Sequence, residues 1–302
     1  MDIVCTCDEK FIRYTATMLC SLFANNVPPI NIHFFNGNIP GSKVEKLRTF
    51  IEKKHGVFFS YNINEELLQN LKVDLHASKA NYYRLLIPEI LPISIRKVLY
   101  LDSDLIVRKP IFDLWNTDIE NYYLAAVENP GMRNFDRLFM PKDSKYFNSG
   151  VMLINVEKWR REGVHNKALA FIRSYPDRIK FWDQDGLNAI LYGQWKELPI
   201  KWNVQHNYFF PEENQKRYAD IILDPAIVHF SGNGLKPWQP NIEHKYKSEY
   251  LYYEKGSPVE LIKLIQLEGI KQLLKRYAFT KSLSHELKEV THNFTKINTK
   301  KT

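Results

Sequence analysis

The stretch Val98-Leu99-Tyr100-Leu101-Asp102-Ser103-Asp104-Leu105-Ile106-Val107 constrains the fold more than any other part of the chain. An apolar run of this length, rich in Val, Ile and Tyr, reads as a strand buried on both faces. Two carboxylates, separated by one residue, interrupt it. Side chains alternate across a strand, so an extended Asp102 to Asp104 would aim both carboxylates at one spot. Converging carboxylates at the end of a buried strand are unfavourable unless a cation joins them. A divalent ion that prefers oxygen, Mg²⁺ or Mn²⁺, meets that need and leaves coordination positions for the phosphate oxygens of a substrate. The competing reading is a solvated turn with the Asp residues as turn formers. The flanking Leu-Tyr-Leu and Leu-Ile-Val weigh against it, because they bury the backbone on both sides of the acids.

The segments before this stretch alternate strand and helix. Ile3 to Cys7 reads as a strand with Asp8 at its carboxyl end, and Phe11 to Phe23 as a helix. Ile30 to Phe35 is a second strand. A helix follows from Pro40-Gly41-Ser42 to about Lys54, with Ser42 as its N-cap. Val57 to Tyr61 is a third strand. This order predicts βαβ units with parallel strands, whose ligands sit outside the carboxyl ends. Asp8 and the Asp102/Asp104 pair both fall at such ends. No Gly-x-Gly-x-x-Gly and no Gly-Lys-Ser/Thr loop occurs, so a nucleotide would be held by a metal and side chains and not by a glycine-rich cradle.

Further along, Ala77 to Ile87 reads as a helix that stops at Pro88, and Pro110 to Trp115 closes the unit. Tyr122 to Val127 is a strand, and Phe147-Asn148-Ser149-Gly150 leads into a buried strand ending at Asn155. Val156 to Ser174 reads as one helix. Phe181 to Asn188 begins another, with Asp183 as N-cap. Ile227 to Phe230 is a late strand.

With 302 residues, the chain fits one large domain plus an appendage, or two domains. The net charge of +8 favours anionic partners: nucleotides, nucleic acid or anionic lipid headgroups. Most of the excess lies in 243–302, where twelve Lys/Arg face seven Glu, a local net of +5. Val259 to Ala278 has the pattern of a basic amphipathic helix, suited either to an anionic membrane surface or to packing on the main domain. Residues 291–302 read as frayed. Aromatic residues are abundant, with 17 Tyr, 18 Phe and 6 Trp, and most serve to fill a core. Cys5, Cys7 and Cys20 form no disulfide framework and read as small core residues of a reducing compartment. No signal segment and no spanning apolar run is present, so a soluble protein is expected, cytoplasmic or peripheral on the cytoplasmic face of the inner membrane.

As a set, six pieces resemble glycosyltransferase family 8, whose members include bacterial lipopolysaccharide galactosyl- and glucosyltransferases and glycogenin. They are Met1-Asp2-Ile3-Val4 with Asp8; Ser78…Tyr82-Tyr83-Arg84-Leu85; Lys97 to Asp104; Tyr146 to Val151; Asp183-Gln184-Asp185; and His229-Phe230-Ser231-Gly232 with Lys236-Pro237-Trp238. They occur in the family's order over roughly the first 240 residues, and the lipopolysaccharide branch is the most similar. One departure stands out. The family's His-x-x-Gly-x-x-Lys-Pro-Trp carries an extra residue here, through Asn233-Gly234-Leu235.

The resemblance implies a GT-A fold: an α/β, Rossmann-like, mixed but mostly parallel sheet flanked by helices, over 1–242, with a helical appendage over 243–302. It implies a retaining, Mn²⁺-dependent transferase with a UDP-sugar donor, a glycan or glycolipid acceptor and no nucleic-acid partner. Asp102, Asp104 and His229 would ligate the metal, and a set of two carboxylates and an imidazole favours Mn²⁺ over Mg²⁺. Asp8 would accept from the uracil N–H with Phe11 packed near the base, and Asp8 could equally cap the first helix. Thr6, Ser103 and Gly232 fall on the nucleotide side. Arg84 and Lys236 would neutralise phosphate or hold donor hydroxyls; the alternative for each is a surface ion pair. Asn148 and Asp183 would bind sugar hydroxyls. Gln184 would lie near the anomeric carbon, with Asp185 beside it. Because Gln184 is a poor nucleophile, same-face attack by the acceptor is favoured over a covalent intermediate. The rivals are a non-catalytic UDP-sugar-binding module and a metal-dependent sugar-nucleotide hydrolase or nucleotidyltransferase.

Overall fold

The computed structural model describes residues 1–71, 78–132, 135–232 and 236–259. Among the described residues, nine strands form: β1 (Asp2–Asp8), β2 (Asn31–Gly37), β3 (Val57–Asn62), β4 (Lys97–Leu101), β5 (Leu105–Val107), β6 (Leu124–Glu128), β7 (Phe147–Asn155), β8 (Lys196–Glu197) and β9 (Ile227–His229). Seven of them form the main sheet, in the order β3-β2-β1-β4-β7-β6-β8, and β5 pairs with β9 in a small second sheet. The pairs β1–β2, β1–β4, β2–β3 and β6–β8 are parallel, and β7 runs antiparallel to both β4 and β6. This is the mixed, mostly parallel α/β sheet expected from the sequence.

Strands covered on both faces need apolar side chains on both faces. β1 shows the rule: Ile3, Cys5 and Cys7 enter the core on one side, and Val4 enters the core on the other. Burial pushes the Cys5 thiol up to about 12, as suits a core residue and not a ligand. The helix Ile12–Asn25 is buried nearly all round, from Ile12 to Phe23. Such a helix must be covered on more than its sheet-facing side. The helix Lys247–Lys255 supplies the cover: Asn25 donates to the Tyr253 hydroxyl at 2.9 Å, Cys20 Sγ lies 3.3 Å from the Gly256 carbonyl, and Tyr250 is fully buried beside Phe230 and Trp238. Arg108, just past β5, grips Glu249 with its Nε at 2.8 and 3.0 Å from the two carboxylate oxygens. The compact unit therefore runs from Met1 to Val259. The helix expected over Val259 to Ala278, and the 291–302 end, lie outside the described residues.

Several local expectations are corrected. The helix Gly41–Lys53 starts after Pro40 with no side-chain cap, so Ser42 is not its N-cap. The segment Lys79–Leu86 is a 3-10 helix capped by the Ser78 hydroxyl. Pro88 sits in the first turn of the next helix, Ile87–Ile90, and does not stop the chain. The single helix expected from Val156 to Ser174 is two, Val156–Glu162 and Val164–Ser174, hinged at Gly163, whose φ of 61° only glycine adopts freely. Among the described residues no helix is long and apolar enough to cross a membrane.

Truncating Tyr250 removes the aromatic that joins the Lys247–Lys255 helix to the main core. Tyr250→Ala should lower stability by about 3 kcal/mol or more, the cost of deleting a buried aromatic, read as a shifted urea midpoint with an unchanged slope.

Candidate functional site

The Asp102-Ser103-Asp104 segment is not one continuous strand. β4 ends at Leu101, and the Asp102 N–H makes the last rung of the ladder with β7, to the Gly150 carbonyl at 2.8 Å. The chain then leaves the main sheet. Ser103 Oγ bonds Thr15 Oγ1 at 2.7 Å and donates to the Thr6 carbonyl at 3.2 Å. It enters the second sheet, where the Phe230 N–H reaches the Asp104 carbonyl at 2.9 Å and Leu105 pairs with His229. An apolar pattern reports burial, not which strand is the neighbour, and for that reason the switch was invisible in the sequence.

The two carboxylates nonetheless converge. Ligand atoms of Asp102, Asp104 and His229 all lie within 4.8 Å of one another. His229 Nε2 is 3.1 Å from Asp104 Oδ1 and 3.7 Å from Asp102 Oδ2. Ligands of one Mg²⁺-sized ion stand at most about 4.2 Å apart, so this set closes on an ion with a contraction of about half an ångström. The residue donors therefore fit a single divalent cation. Gly150 makes the close approach possible: a Cβ there would sit 2.2 Å from His229 Cε1 and 2.6 Å from Asp102 Oδ2.

Cationic groups offset the burial of these acids. Lys236 Nζ donates to Asp104 Oδ2 at 2.5 Å and to the Phe230 carbonyl at 2.7 Å. Burial alone would raise the Asp104 carboxyl, but Lys236 and then His229 outweigh it and hold the group well below the ordinary carboxylate range. The Tyr100 hydroxyl donates to Asp102 Oδ1 at 2.8 Å, and Arg84 stands 3.0 Å from the same oxygen with its guanidinium over the Tyr100 ring.

Arg84 is the clearest departure from its expected role. It is buried, not a surface ion pair, and it turns inward. Nε lies 3.1 Å from Asp183, and one terminal nitrogen donates to the Ser149 carbonyl at 2.8 Å. Burial opposes its charge, but Asp102 and Asp183 together more than restore it. Its charge is paired with the site's own carboxylates. Burial pushes Asp183 up to about 6 even though Arg84 pulls the other way, and Asp102 adds to the push.

Asp183 and Gln184 sit in the first turn of the helix Trp182–Leu191, and Asp183 is not its N-cap. Asp185 does the local organising. Its carboxylate accepts the N–H groups of Lys180 and Phe181 at 2.7 and 2.8 Å, the Tyr146 hydroxyl at 2.6 Å and both terminal nitrogens of Arg137 at 2.6 Å. The turn so fixed holds Trp182 at a φ of 43°, unusual for a bulky residue. Asp185 is fully buried and every oxygen is taken, so it is a clamp for the turn and not a group facing substrate. Gln184 points into the site's wall: its carbonyl accepts Ser149 N–H at 3.0 Å and Asn148 Nδ2 at 3.1 Å, and its amide donates to Tyr146.

At the carboxyl end of β1, Asp8 Oδ1 accepts the N–H groups of Lys10 and Phe11 at 3.0 and 3.2 Å; it closes the turn before the helix Ile12–Asn25, whose N-cap is Phe11 with no side-chain bond, so Asp8 is not the helix cap. Phe11 is 37% exposed and packs edge-on against Tyr14, which stacks on Trp238 at 3.7 Å between centroids. This stack ties the Lys-Pro-Trp loop to the first helix. The Thr6 hydroxyl is buried 3.1 Å from Tyr100 OH. Gly232 has a φ of 90° beside His206; the extra-residue positions 233–235 lie outside the described residues. Sequence reasoning missed Tyr100, Tyr146, Arg137 and Asn203, whose Oδ1 lies 3.0 Å from His229 Nδ1. A lone Asn or Tyr in such positions carries no local signal; only long-range contact reveals it.

A family model, Glycosyl transferase family 8, matches residues 2–241. The chain is 35% identical over 267 residues to General stress protein A of Bacillus subtilis, covering 84% of this chain and 92% of that protein. It is 26% identical over 288 residues to the lipopolysaccharide 1,2-glucosyltransferase of Escherichia coli, covering 90% and 85%. The structure resembles the galactosyltransferase LgtC, solved with donor and acceptor sugar analogues, with a TM-score of 0.75 at 24% identity, covering 86% of this chain and 97% of that one. That fold is the GT-A fold.

Two substitutions test this geometry. Gly150→Ala should displace His229 or Asp102 and raise the divalent-ion concentration for half-saturation about 10-fold or more, in line with other disturbed metal-ligand surroundings; titration calorimetry reads it directly. Asp185→Asn should cost about 3–5 kcal/mol of stability, because it strands a half-buried Arg137. A urea titration showing less than a third of that loss would mean the clamp matters little.

Proposed function

The chain belongs to glycosyl transferase family 8, and from that premise we propose that it moves a hexose, glucose or galactose, from a UDP-sugar to a saccharide acceptor of the lipopolysaccharide or cell-surface-glycan class, with retention of configuration. The observation that carries the reading is the Asp102, Asp104, His229 cluster at the carboxyl end of β4, with Asp183 and Gln184 beside it. The likeness to a lipopolysaccharide glucosyltransferase supports the acceptor class. A divalent ion, Mn²⁺ before Mg²⁺, held by Asp102, Asp104 and His229, would supply Lewis-acid stabilisation of the diphosphate leaving group.

The chain's own residues do the rest. Asp8 and Phe11, at the carboxyl end of β1, take the uracil, with Thr6 and Ser103 shaping the floor and Gly232 the rim. Lys236 turns from Asp104 to the diphosphate and balances the charge that builds there as the glycosidic bond breaks. A diphosphate so stabilised leaves without a general acid. Arg84 stays on Asp102 and Asp183 and offsets their charge in a dry site. Asn148 and Asp183 hold donor hydroxyls, and Gln184 lies along the sugar. What supports same-face transfer is the state of the carboxylates: Asp185 is sealed by Arg137, Tyr146 and two backbone N–H groups, and Gln184 is an amide. A covalent intermediate on Asp185 would need the clamp to open.

The test is UDP release from a panel of UDP-sugars with Mn²⁺, with and without saccharide acceptors. Acceptor-dependent release is expected. Equal release without acceptor would make the protein a hydrolase, and binding without release a recognition module. Asp102→Asn and Asp104→Asn should each lower turnover about 100-fold or more, the loss of several kcal/mol of leaving-group stabilisation; each also leaves Arg84 or Lys236 without its carboxylate and so lowers the melting temperature, and turnover is compared at a temperature where both variants are folded. Undiminished turnover in either variant at modest Mn²⁺ would remove the metal from the reading.

A further inference from the structure

Ring nitrogens and amide ends are interchangeable in shape, and their roles follow only from partners whose direction is fixed. Backbone N–H groups are such partners, since they can only donate. Two of them set the direction of a buried polar string here. The Gly150 N–H points at the side-chain oxygen of Asn148 at 3.0 Å, so that atom must be the acceptor end. Asn203 approaches the same oxygen at 2.9 Å and must therefore present its NH₂ group. Its carbonyl end then faces His229 Nδ1 at 3.0 Å and can only accept. His229 must carry a proton on Nδ1, so that in the neutral imidazole Nε2 is the bare nitrogen, 3.7 Å from Asp102 Oδ2 and 3.1 Å from Asp104 Oδ1.

The other arm agrees. The Ser149 N–H fixes the Gln184 carbonyl as an acceptor at 3.0 Å, which Asn148 Nδ2 also reaches at 3.1 Å. The Gln184 NH₂ donates to Tyr146, whose hydroxyl donates onward to Asp185. Both ends of Asn148 and both ends of Gln184 are consistent with one orientation and with no other. Asn203 is fully buried and joins the two halves: its oxygen serves the histidine and its nitrogen serves the wall of the sugar side.

We infer that Asn203 is a positioning residue that holds His229 in the Nδ1–H tautomer, so that Nε2 is presented as a metal ligand, and that links this ligand to Asn148 and Gln184. A bare nitrogen facing two carboxylates has no hydrogen-bonding role; it has one as a ligand, with a cation between. Without Asn203, the imidazole gains more by moving its proton to Nε2, where Asp104 accepts it at 3.1 Å, and that tautomer cannot bind a metal through Nε2. The inference rests on the reading of Asp102, Asp104 and His229 as a metal site.

The test uses the full chain with ¹⁵N-labelled histidine. In metal-free protein at alkaline pH, where imidazole is neutral, the ¹⁵N shifts of His229 should report Nδ1–H in the parent and Nε2–H in Asn203→Ala. Mn²⁺ binding followed by electron paramagnetic resonance should weaken about 10- to 100-fold in Asn203→Ala. Asn203→Asp keeps an acceptor for Nδ1 and loses the donor to Asn148; it should keep the Nδ1–H tautomer and bind Mn²⁺ within a few fold of the parent. It also guards against a poorly folded alanine variant, because it preserves volume. An unchanged tautomer and unchanged Mn²⁺ affinity in Asn203→Ala would overturn the inference, as would an aspartate variant that loses Mn²⁺ as fully as the alanine one. His229→Ala separates the two levels. If it leaves Mn²⁺ binding intact, the metal reading has failed; if it abolishes binding while Asn203→Ala does not, only the role of Asn203 has failed.

Discussion

Two carboxylates standing together at the end of a buried strand must be met by cations and hydrogen-bond donors, or the fold loses more than their burial returns. Here the compensation comes from Tyr100, two residues away, and from three distant parts of the chain. Tyr100 lies on β4, Arg84 comes from the 3-10 helix before it, His229 from β9 and Lys236 from the segment beyond. Bringing them together requires the main sheet to end at Asp102 and a second sheet to begin after Asp104. It also requires Trp238 to be pinned to Tyr14 and the helix Lys247–Lys255 to cover the first helix. Removing one partner of such a buried pair typically costs about 3–5 kcal/mol, so the site and the fold constrain each other.

The sugar side is built on a different principle. Asn148, Gln184 and Asn203 are neutral amides oriented by the backbone N–H groups of Ser149 and Gly150. Fixed dipoles of this kind need no reorganisation when charge develops nearby, which is the basis of electrostatic preorganisation. The full charges are kept to the flanks: Arg137 with Asp185 behind the turn, and Arg84 between Asp102 and Asp183.

Much of this was legible in the sequence, and the limits have physical reasons. Alternating strands and helices, and the i, i+2 spacing of Asp102 and Asp104, depend on local periodicity, which a sequence displays directly. The break between β4 and β5 does not, because both halves are equally apolar and differ only in their partners. Ser42 and Asp183 are good capping residues by type. Yet the first helix turn of 41–53 follows Pro40 uncapped, and at 180–185 the N–H groups go to Asp185. Arg84 could equally be a surface ion pair in the sequence, because charge is visible there and burial between Asp102 and Asp183 is not. Gly150 was noticed for its neighbours, while its own reason, the absence of room for a methyl group beneath His229, exists only in three dimensions. Asn203 had no signal at all.

The ion pair between Lys236 and Asp104 gives the site a tethered counter-ion. Lys236 thus offsets the Asp104 charge within the protein itself. Lys236 can release Asp104 without stranding its own charge only when an anion is present to receive it. On the proposed reading, a diphosphate arriving together with a cation would let both exchange partners at once, acid to metal and ammonium to phosphate. Cation alone has to evict an ammonium that is also bound to the Phe230 carbonyl. The Lys236 contacts would thus favour joint arrival of ion and nucleotide over either alone, a form of binding order written into one lysine.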